Sequence, residues 1–417
     1  MTTPTSGRDF GAAAGGACED GEVSATAVDP AAGKAAPPAA VGGHLALGRG
    51  SLQPGSMPRP LPDILPAAWP DPSAEPPPRT AMAIERAAAV LAEGGLVAIP
   101  TETVYGLAAD ALDAAAVDRI FQAKGRPATN PLIVHVADAA MARTLAASWP
   151  PAAERIVARH WPGPVTVIVP RGPKVPAGVT AGGPTVALRC PEHPLARRLI
   201  AVLGRPLAAP SANRSMQLSP TTAGHVLEGL GGRVDLILDA GPCGRGIEST
   251  VVDCTTTPAR ILRPGPIGRA ELEQAIGGTV EESFTAGAGA EETVRRSPGT
   301  MARHYAPQTP LEVIPDALPR VATLVAGGRR VAWLTTRTAE PAVRELAVAA
   351  PGLVVVPMAA EPAAFAAGLY ATLHAADRRG FDAIVVDAPP PDESWRAVAD
   401  RLARAATPAA DRVIRPD

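Results

Sequence analysis

Cysteine, aromatic residues and an excess of charge are all scarce in this chain of 417 residues. The four cysteines are widely spaced and form no C-x-x-C pair, which argues against a zinc module or a disulfide framework. The formal net charge of -2 provides no general attraction to nucleic acid or to an anionic membrane surface. Any polyanion must therefore be bound by a local cluster of cations.

Long hydrophobic runs are also absent. No apolar segment reaches the length of a bilayer span, and the N-terminus lacks the charged and apolar regions of a signal peptide. Together with the cysteine usage, these absences predict a cytoplasmic protein with no membrane partner. Because aromatic residues make up only 3% of a chain that is 46% hydrophobic, the cores are predicted to be aliphatic.

Composition divides the chain into four predicted segments. Residues 1–79 are rich in alanine, glycine and proline without a sustained period, which predicts a disordered extension; their acidic residues disfavour the alternative of a transit peptide. Residues 80–277 interleave strand and helix patterns irregularly, which predicts a mixed sheet with helices on its faces. Residues 278–310 are typical of a linker, and residues 311–417 of a smaller α/β domain without a nucleotide fingerprint.

The stretch from residue 95 to residue 136 is rich in polar side chains at the ends of predicted elements. A buried strand predicted at residues 96–99 stops at a proline, and three side chains with oxygen atoms follow it at residues 101–103. Open α/β sheets bind their ligands at such strand ends. A helix is predicted at residues 114–124, from the N-cap Asp113 to Gly125, and a second strand at residues 132–136. Lys124, Arg126 and Asn130 follow the helix, and His135 lies in the strand.

A strand predicted at residues 206–209 repeats this pattern, since it stops at Pro210 and is followed by Ser211 and Asn213. Each residue type also has an ordinary structural use. Serine and asparagine favour turns, cations complement a helix C-terminus, and a lone strand histidine is more often a core residue than a ligand. Against these uses, the two prolines that stiffen the loop carrying Lys124 and Arg126 favour a clamp for phosphate oxygens. The common hydrolase motifs G-x-S-x-G and H-E-x-x-H are missing, and residues 244–250 lack the lysine and the spacing of a P-loop.

Six motifs follow one another along the chain. They are PTETVYGL at residues 100–107, KGRPATNPLIVHV at 124–136, APSAN at 209–213, GIEST at 246–250, ILRPGP at 261–266 and SPGTMARHYAP at 297–307. Together they closely resemble the threonylcarbamoyl-AMP synthase family, in its long two-domain YrdC-type form with a C-terminal Sua-type domain. The resemblance spans about residues 81–415. One departure is the segment RSMQ at residues 214–217, where the family often has a glycine-containing turn.

The resemblance implies a fold and a reaction. The fold is a YrdC-like twisted mixed sheet with flanking helices and a large cavity, followed by a smaller Rossmann-like α/β domain. The reaction makes threonylcarbamoyl-adenylate and pyrophosphate from L-threonine, bicarbonate or CO2, and ATP, with Mg2+ expected alongside the nucleotide. Downstream proteins use the product for the threonylcarbamoyladenosine modification of tRNA. The linker motif is expected to lie over the site and to act as a lid against water.

The resemblance also implies roles for individual residues, and it implies no metal ligand. The active-site tetrad is matched by Lys124, Arg126, Ser211 and Asn213. Contacts to ATP are implied for Arg126, Asn130, Thr185, Ala209, Ser211, Ser219, Arg263 and His304. The threonine pocket is matched by Thr103, His135, Arg189 and Ser249.

Two other functions compete with this interpretation. Carbamoyl transfer of the hydrogenase-maturation type uses a related domain, but it is accompanied by zinc-finger cysteine pairs and an acylphosphatase-like region, and this sequence has neither. A module for double-stranded RNA or tRNA is disfavoured by the net charge of -2 and by the few aromatic residues, although a local patch could bind RNA weakly.

Overall fold

The computed structural model describes residues 60–283 and 304–406. Two sheets occur in these ranges, and helices pack against both. The strands of the first sheet are β1 (Asp63–Pro66), β2 (Val97–Ile99), β3 (Gly106–Asp110), β4 (Ile133–His135), β5 (Val165–Pro170), β6 (Thr185–Arg189), β7 (Leu207–Ala208), β8 (Leu236–Asp239), β9 (Thr250–Asp253), β10 (Ala259–Arg263) and β11 (Val280–Glu282). The strands of the second sheet are β12 (Leu311–Ile314), β13 (Val331–Thr335), β14 (Leu353–Pro357) and β15 (Ala383–Asp387).

The α-helices occur in both parts of the described chain. Those of the first part are α1 (Pro78–Ala92), α2 (Ala114–Lys124), α3 (Ala139–Arg143), α4 (Pro151–His160), α5 (Pro194–Leu203), α6 (Ala223–Leu230) and α7 (Arg269–Ile276). Those of the second part are α8 (Leu318–Ala326), α9 (Pro341–Ala349), α10 (Pro362–Arg378) and α11 (Arg396–Ala405). None of the helices in residues 60–283 and 304–406 is long and apolar enough to cross a bilayer.

The first sheet is mixed, as predicted. Its strand order is β1-β8-β2-β3-β7-β4-β6-β5-β9-β10-β11. Parallel pairs such as β4 with β6 alternate with antiparallel pairs such as β5 with β6. The second sheet has the order β12-β15-β13-β14 and all its pairs are parallel, which confirms a smaller α/β domain.

Helix α2 lies in the stretch from residue 95 to residue 136 and shows why a helix could be predicted there from local sequence. The carboxylate of Asp113 accepts hydrogen bonds from the backbone N–H groups of Ala115 and Ala116, so it caps the helix as expected. Gly125 ends the helix with φ 61°, a left-handed conformation that glycine adopts without the penalty of a Cβ atom. Val117 and Ile120 are fully buried in the main core.

Two predicted irregular segments contain strands instead. The extension predicted to be disordered up to residue 79 includes β1, which pairs in parallel with β8 at the edge of the sheet. Flanking prolines gave this segment the composition of a disordered chain, but an edge strand needs partners on one side only and tolerates proline. The predicted linker likewise begins with β11, which pairs with β10. Residues 1–59 and 284–303 lie outside the described residues, and the domain boundaries near residues 277 and 311 stay predictions.

The two domains share a continuous apolar contact. Val104 and Ile247 of the first domain belong to the same buried cluster as Phe365 and Leu369 of helix α10. Gly246 lies in this contact with φ +70°, and a Cβ atom there would lie 2.5 Å from the carbonyl oxygens of residues 366 and 367. Backbone atoms cannot yield as a flexible side chain can, so this position requires glycine.

A pair of glycine substitutions tests this contact. Gly246 and Gly277 share a φ of +70°, but nothing lies within 4 Å of a Cβ atom at Gly277. Gly277→Ala is expected to cost about 1 kcal/mol, from backbone strain alone. Gly246→Ala is expected to add about 1–3 kcal/mol from overpacking. The melting temperature of each variant, measured against the unsubstituted protein, checks the difference. Equal shifts for the two variants would contradict the close contact.

Candidate active site

One face of the first sheet changes from apolar to polar along four neighbouring strands. Ile133, Ala187, Ile168 and Val251 of β4, β6, β5 and β9 form a small buried apolar cluster. Side chains two residues apart in a strand lie on the same face. The next positions on this face, in the same direction across the sheet, therefore carry polar side chains: His135, Arg189, Thr166 and Ser249.

A cavity of about 530 Å³, including its open mouth, lies over this polar end of the sheet. Most of the residues predicted for the site line it. They are Thr103, Arg126, His135, Arg189, Ala209, Ser211, Ser249, Arg263 and His304. The structure thus brings together side chains from several parts of the chain. These include the stretch from residue 95 to residue 136, the segment after β7, the two ends of the β9–β10 hairpin and the segment before β12.

Lys124 and Asn213 stand behind the cavity wall. The fully buried Nζ atom of Lys124 donates hydrogen bonds of 2.5 Å to the carbonyl oxygens of Ser211 and Asn213. It thereby joins helix α2 to the segment that follows β7. Burial and the nearby Arg126 guanidinium hold the pKa of Lys124 well below its usual range.

The loop after Asn213 keeps a tight turn although it lacks glycine. The side-chain amide of Asn213 donates to the carbonyl oxygens of Arg214 and Gln217, both at 2.8 Å. Met216 has φ 71°, in the left-handed region that glycine favours. The RSMQ departure therefore keeps a left-handed turn with a residue that carries a Cβ atom.

Arg126 and Asn130 act as one unit. The Nε and Nη2 atoms of Arg126 donate to the backbone carbonyl and the side-chain carbonyl of Asn130, at 3.0 and 2.7 Å. Nη2 also donates to the carbonyl of Pro131 at 2.7 Å. The guanidinium plane is thus fixed at the cavity wall, and burial lowers the pKa of Arg126 to about 10.

Arg263 and Ser249 form a second fixed pair in the cavity lining. Nε and Nη2 of Arg263 donate to the carbonyl of Ser249 at 3.1 and 3.0 Å, and Nη2 also reaches the Ser249 hydroxyl at 3.2 Å. That hydroxyl lies 2.8 Å from the hydroxyl of Thr166. The serine is therefore held from two sides.

The remaining wall carries an ion pair and a hydroxyl pair. Arg189 and Glu102 form a buried ion pair with an N···O distance of 2.7 Å. The hydroxyls of Thr101 and Thr103 lie 2.8 Å apart, and Thr101 also donates to the carbonyl of Val104 at 2.6 Å. These bonds shape the segment that follows β2 and set the position of Thr103.

Ser219 and Thr185 were predicted for the site but do not line the cavity. Ser219 is buried next to it, and its hydroxyl donates to Glu248 Oε1 at 2.5 Å. Thr185 lies at the first residue of β6, four residues before Arg189 on the same face, so about 13 Å of strand separates them. The predicted roles of both residues stay predictions.

Sequence reasoning missed Glu248, Tyr305 and Arg401. Glu248 and Tyr305 line the cavity, although only their motifs had been noted. The signal for Glu248 was an acidic residue inside the buried GIEST segment. Arg401 gave no signal, because a helix with alternating charges reads as a solvent-exposed face; in the structure Arg401 is fully buried against Glu248.

The described residues provide no protein ligand set for a metal ion. They contain no group of three or more His, Cys, Asp or Glu side chains that could bind one. The carboxylate of Glu248 at the cavity wall is already engaged by Ser219 and Arg401.

Both histidines of the cavity are predicted to stay neutral. Burial, with Arg189 next in importance, lowers the pKa of His135 to about 3, and burial likewise lowers that of His304 to about 3. In histidine-labelled protein, nitrogen chemical shifts assigned with His135→Asn and His304→Asn are expected to show neutral rings down to pH 5. Because the unfolded chain binds these protons below about pH 6.5, acid is expected to destabilise the fold. A midpoint near 6.5 for either ring would contradict this prediction.

Two family models match the chain and leave its first 88 residues unmatched. The model described as "Telomere recombination" matches residues 89–265. The model described as "Threonylcarbamoyl-AMP synthase, C-terminal domain" matches residues 267–407.

Similar proteins occur in bacteria and archaea. A protein of Bacillus subtilis named threonylcarbamoyl-AMP synthase is 41% identical over 337 residues, which cover 80% of this chain and 94% of its own length. A protein of Pyrococcus abyssi with the same name is 47% identical over 231 residues, 55% of this chain and 67% of its own length.

Solved structures agree with these matches. P. abyssi Sua5 in complex with L-threonine is 36% identical, with a TM-score of 0.71 over 82% of this chain and 97% of that one. A His–Tyr double-alanine variant of P. abyssi Sua5 has a TM-score of 0.72, 35% identity and covers 83% of this chain and 96% of that one. On the strength of both domain matches and of these relatives, the chain belongs to the threonylcarbamoyl-AMP synthase family.

Proposed function

We propose that the protein makes threonylcarbamoyl-AMP from L-threonine, bicarbonate or CO2, and ATP, and releases pyrophosphate. One observation carries the proposal: a single cavity is lined by arginines that protein groups hold in place, by hydroxyl groups and by the imidazole of His135, which burial keeps neutral. The arginines suit phosphate oxygens, and the hydroxyl groups with the imidazole suit a small polar amino acid.

The nucleotide is assigned to the side of Arg126 and Arg263. Both guanidiniums are buried and are oriented by protein carbonyl groups, so little freedom remains to be lost when phosphates bind. Ser211 and His304 complete this side. Lys124 supports it from behind by fixing the carbonyl of Ser211.

Threonine is assigned to the side of Thr103, His135, Arg189 and Ser249. The neutral ring of His135 can donate or accept a hydrogen bond at its buried Nδ1 atom, which has no partner in the described residues. Arg189, held by Glu102, is the natural partner for the carboxylate of the amino acid. The hydroxyls of Thr103 and Ser249 are fixed by Thr101 and Thr166.

The reaction then needs positioning rather than a nucleophilic side chain. The threonine amine forms a C–N bond to the carbon of bicarbonate or CO2 and becomes a carbamate, with loss of water from bicarbonate or of a proton when CO2 reacts. A carbamate oxygen then attacks the α-phosphorus of ATP. A new P–O bond forms while the bond to the departing pyrophosphate breaks. Holding the carbamate and the nucleotide in line can lower the barrier by about 7–11 kcal/mol. Fixed cations stabilise the charge that develops on the pyrophosphate. Mg2+ is proposed to enter with the ATP phosphates, and the product to pass to proteins that modify tRNA.

Pyrophosphate release from ATP, measured with and without L-threonine and bicarbonate, tests the proposal. Release is expected only when both are present, because the carbamate is the attacking group. Threonylcarbamoyl-adenylate should accumulate in equal amount. Release that ignores threonine, or RNA binding with no release at all, would contradict the proposed function.

Arg126→Ala is expected to lower kcat/KM about 100-fold or more, because it removes a preorganised charge from the phosphate side. Arg119→Ala is the matched control on helix α2, which precedes Arg126, since Arg119 forms a partly exposed ion pair with Asp235. The control is expected to retain its rate. Circular dichroism must show both variants folded, and an Arg126→Ala enzyme that keeps its rate would remove Arg126 from the site.

A further inference from the structure

A buried arginine of the second domain contacts the cavity wall. Nε of Arg401 in helix α11 donates to Glu248 Oε2 at 2.7 Å, and its Nη2 donates to the backbone carbonyl of Glu248 at 3.3 Å. Arg401 is 0% exposed, and Glu248 lines the cavity. A side chain from the second domain thus fixes both the carboxylate and the backbone of a residue in the site.

Glu248 connects several parts of the site. Its Oε1 accepts from the Ser219 hydroxyl at 2.5 Å, and its Oε2 accepts from the Tyr370 hydroxyl at 3.2 Å as well as from Arg401. Ser249, which contacts Arg263, is the next residue in the chain. The orientation of Glu248 therefore sets the position of a predicted ATP contact and of a predicted threonine contact.

Arg401 also contacts the segment that precedes β12. Its guanidinium carbon lies 5.3 Å from the ring centroid of Tyr305, a cation–π distance. The backbone N–H of His304 donates to the carbonyl of Arg404, one turn further along α11, at 3.1 Å. Tyr305 has φ 60°, an uncommon conformation for a residue with a side chain, and such backbone persists only where the surroundings fix it.

Helix α11 fixes the arginine itself. Asp400 binds Nη1 of Arg401 at 2.7 Å and Nε of Arg404 at 2.9 Å, so the guanidinium is held in one plane. Such buried charge is a weak source of net stability, because desolvation offsets most of the attraction. Apolar residues would join the two domains equally well. What the charged groups add is a fixed orientation of the side chains at the cavity wall.

We propose that Arg401 is a positioning residue for the active site: it orients Glu248, and through Glu248 it sets Ser219 and Ser249. The inference rests on the proposed function and gives the second domain a part in it. Arg401 touches no substrate in this scheme; it acts through Glu248.

Arg401→Met and Arg401→Lys are the test variants. Loss of a residue that orients a direct contact typically costs about 10- to 100-fold. Arg401→Met is expected to raise KM for ATP or threonine and to lower kcat/KM by about that factor. Arg401→Lys keeps the charge but cannot donate to both Glu248 and Asp400 along one plane, so an intermediate loss is expected.

Arg320→Met is the matched control in the same domain. Arg320 donates to both carboxylate oxygens of the buried Glu312, at 2.9 and 2.8 Å, and neither residue lines the cavity. The control is expected to leave KM unchanged. If Arg401→Met only lowers kcat in proportion to the folded fraction, with KM unchanged, the inference is overturned. If Arg401→Met does not fold, Arg401→Lys decides in the same way, and a wild-type KM overturns the inference.

A double variant tests the route through Glu248. Once Glu248→Gln has removed the carboxylate, adding Arg401→Met is expected to change kcat/KM by less than about twofold, because contacting residues couple in such cycles. Multiplied losses would show that Arg401 does not act through the carboxylate of Glu248 and would overturn the inference. The affinities for ATP and for threonine, measured by calorimetry, allow the same comparison without turnover. A wild-type protein without threonine-dependent pyrophosphate release refutes the proposed function, whereas unchanged affinities for both ATP and threonine in Arg401→Met refute only the inference.

Discussion

One buried amine connects two segments of the chain at the cavity wall. Lys124 ends helix α2, and its Nζ atom spans to the carbonyls of Ser211 and Asn213 on the segment after β7. Burial makes the charged form of this group costly, which lowers its pKa, and hydrogen bonds to two carbonyl oxygens satisfy its donors. Backbone pairing of β4 with β7 and the bridge between Gly106 and Ser211 hold the same segment from the sheet side. The lysine adds a side-chain connection from the helix, so Ser211 at the cavity wall is held by both the sheet and helix α2.

Local patterns were sufficient for much of the first domain. The helix at residues 114–124 was predicted at its observed bounds, since its cap, its apolar spacing and its terminal glycine all lie within a few residues. The mixed character of the sheet followed from irregular interleaving of strands and helices. The cluster of cations and hydroxyls was predicted from polar residues at strand ends, and the family resemblance added the individual residues. Nine of those residues now line one cavity.

Long-range pairing explains what the sequence could not reveal. β1 is stabilised by β8, more than 170 residues away, and nothing in its own proline-rich surroundings indicates a strand. Arg401 and Glu248 are separated by 153 residues. On a helix, a charged residue normally faces water, so only the packing of the second domain converts it into a buried partner. His135 was ambiguous for the same reason: strand spacing gives its face, but not the polar neighbours that surround it.

Gly246 limits how the two domains can be exchanged between relatives. Its missing Cβ atom admits the backbone of helix α10, and no substitution on α10 can make room for a larger residue there. A chimera with a second domain from a relative would therefore succeed only if that domain follows the same backbone path to within the size of a methyl group. The two domains are matched at the level of main chain, so they are expected to evolve as a single unit.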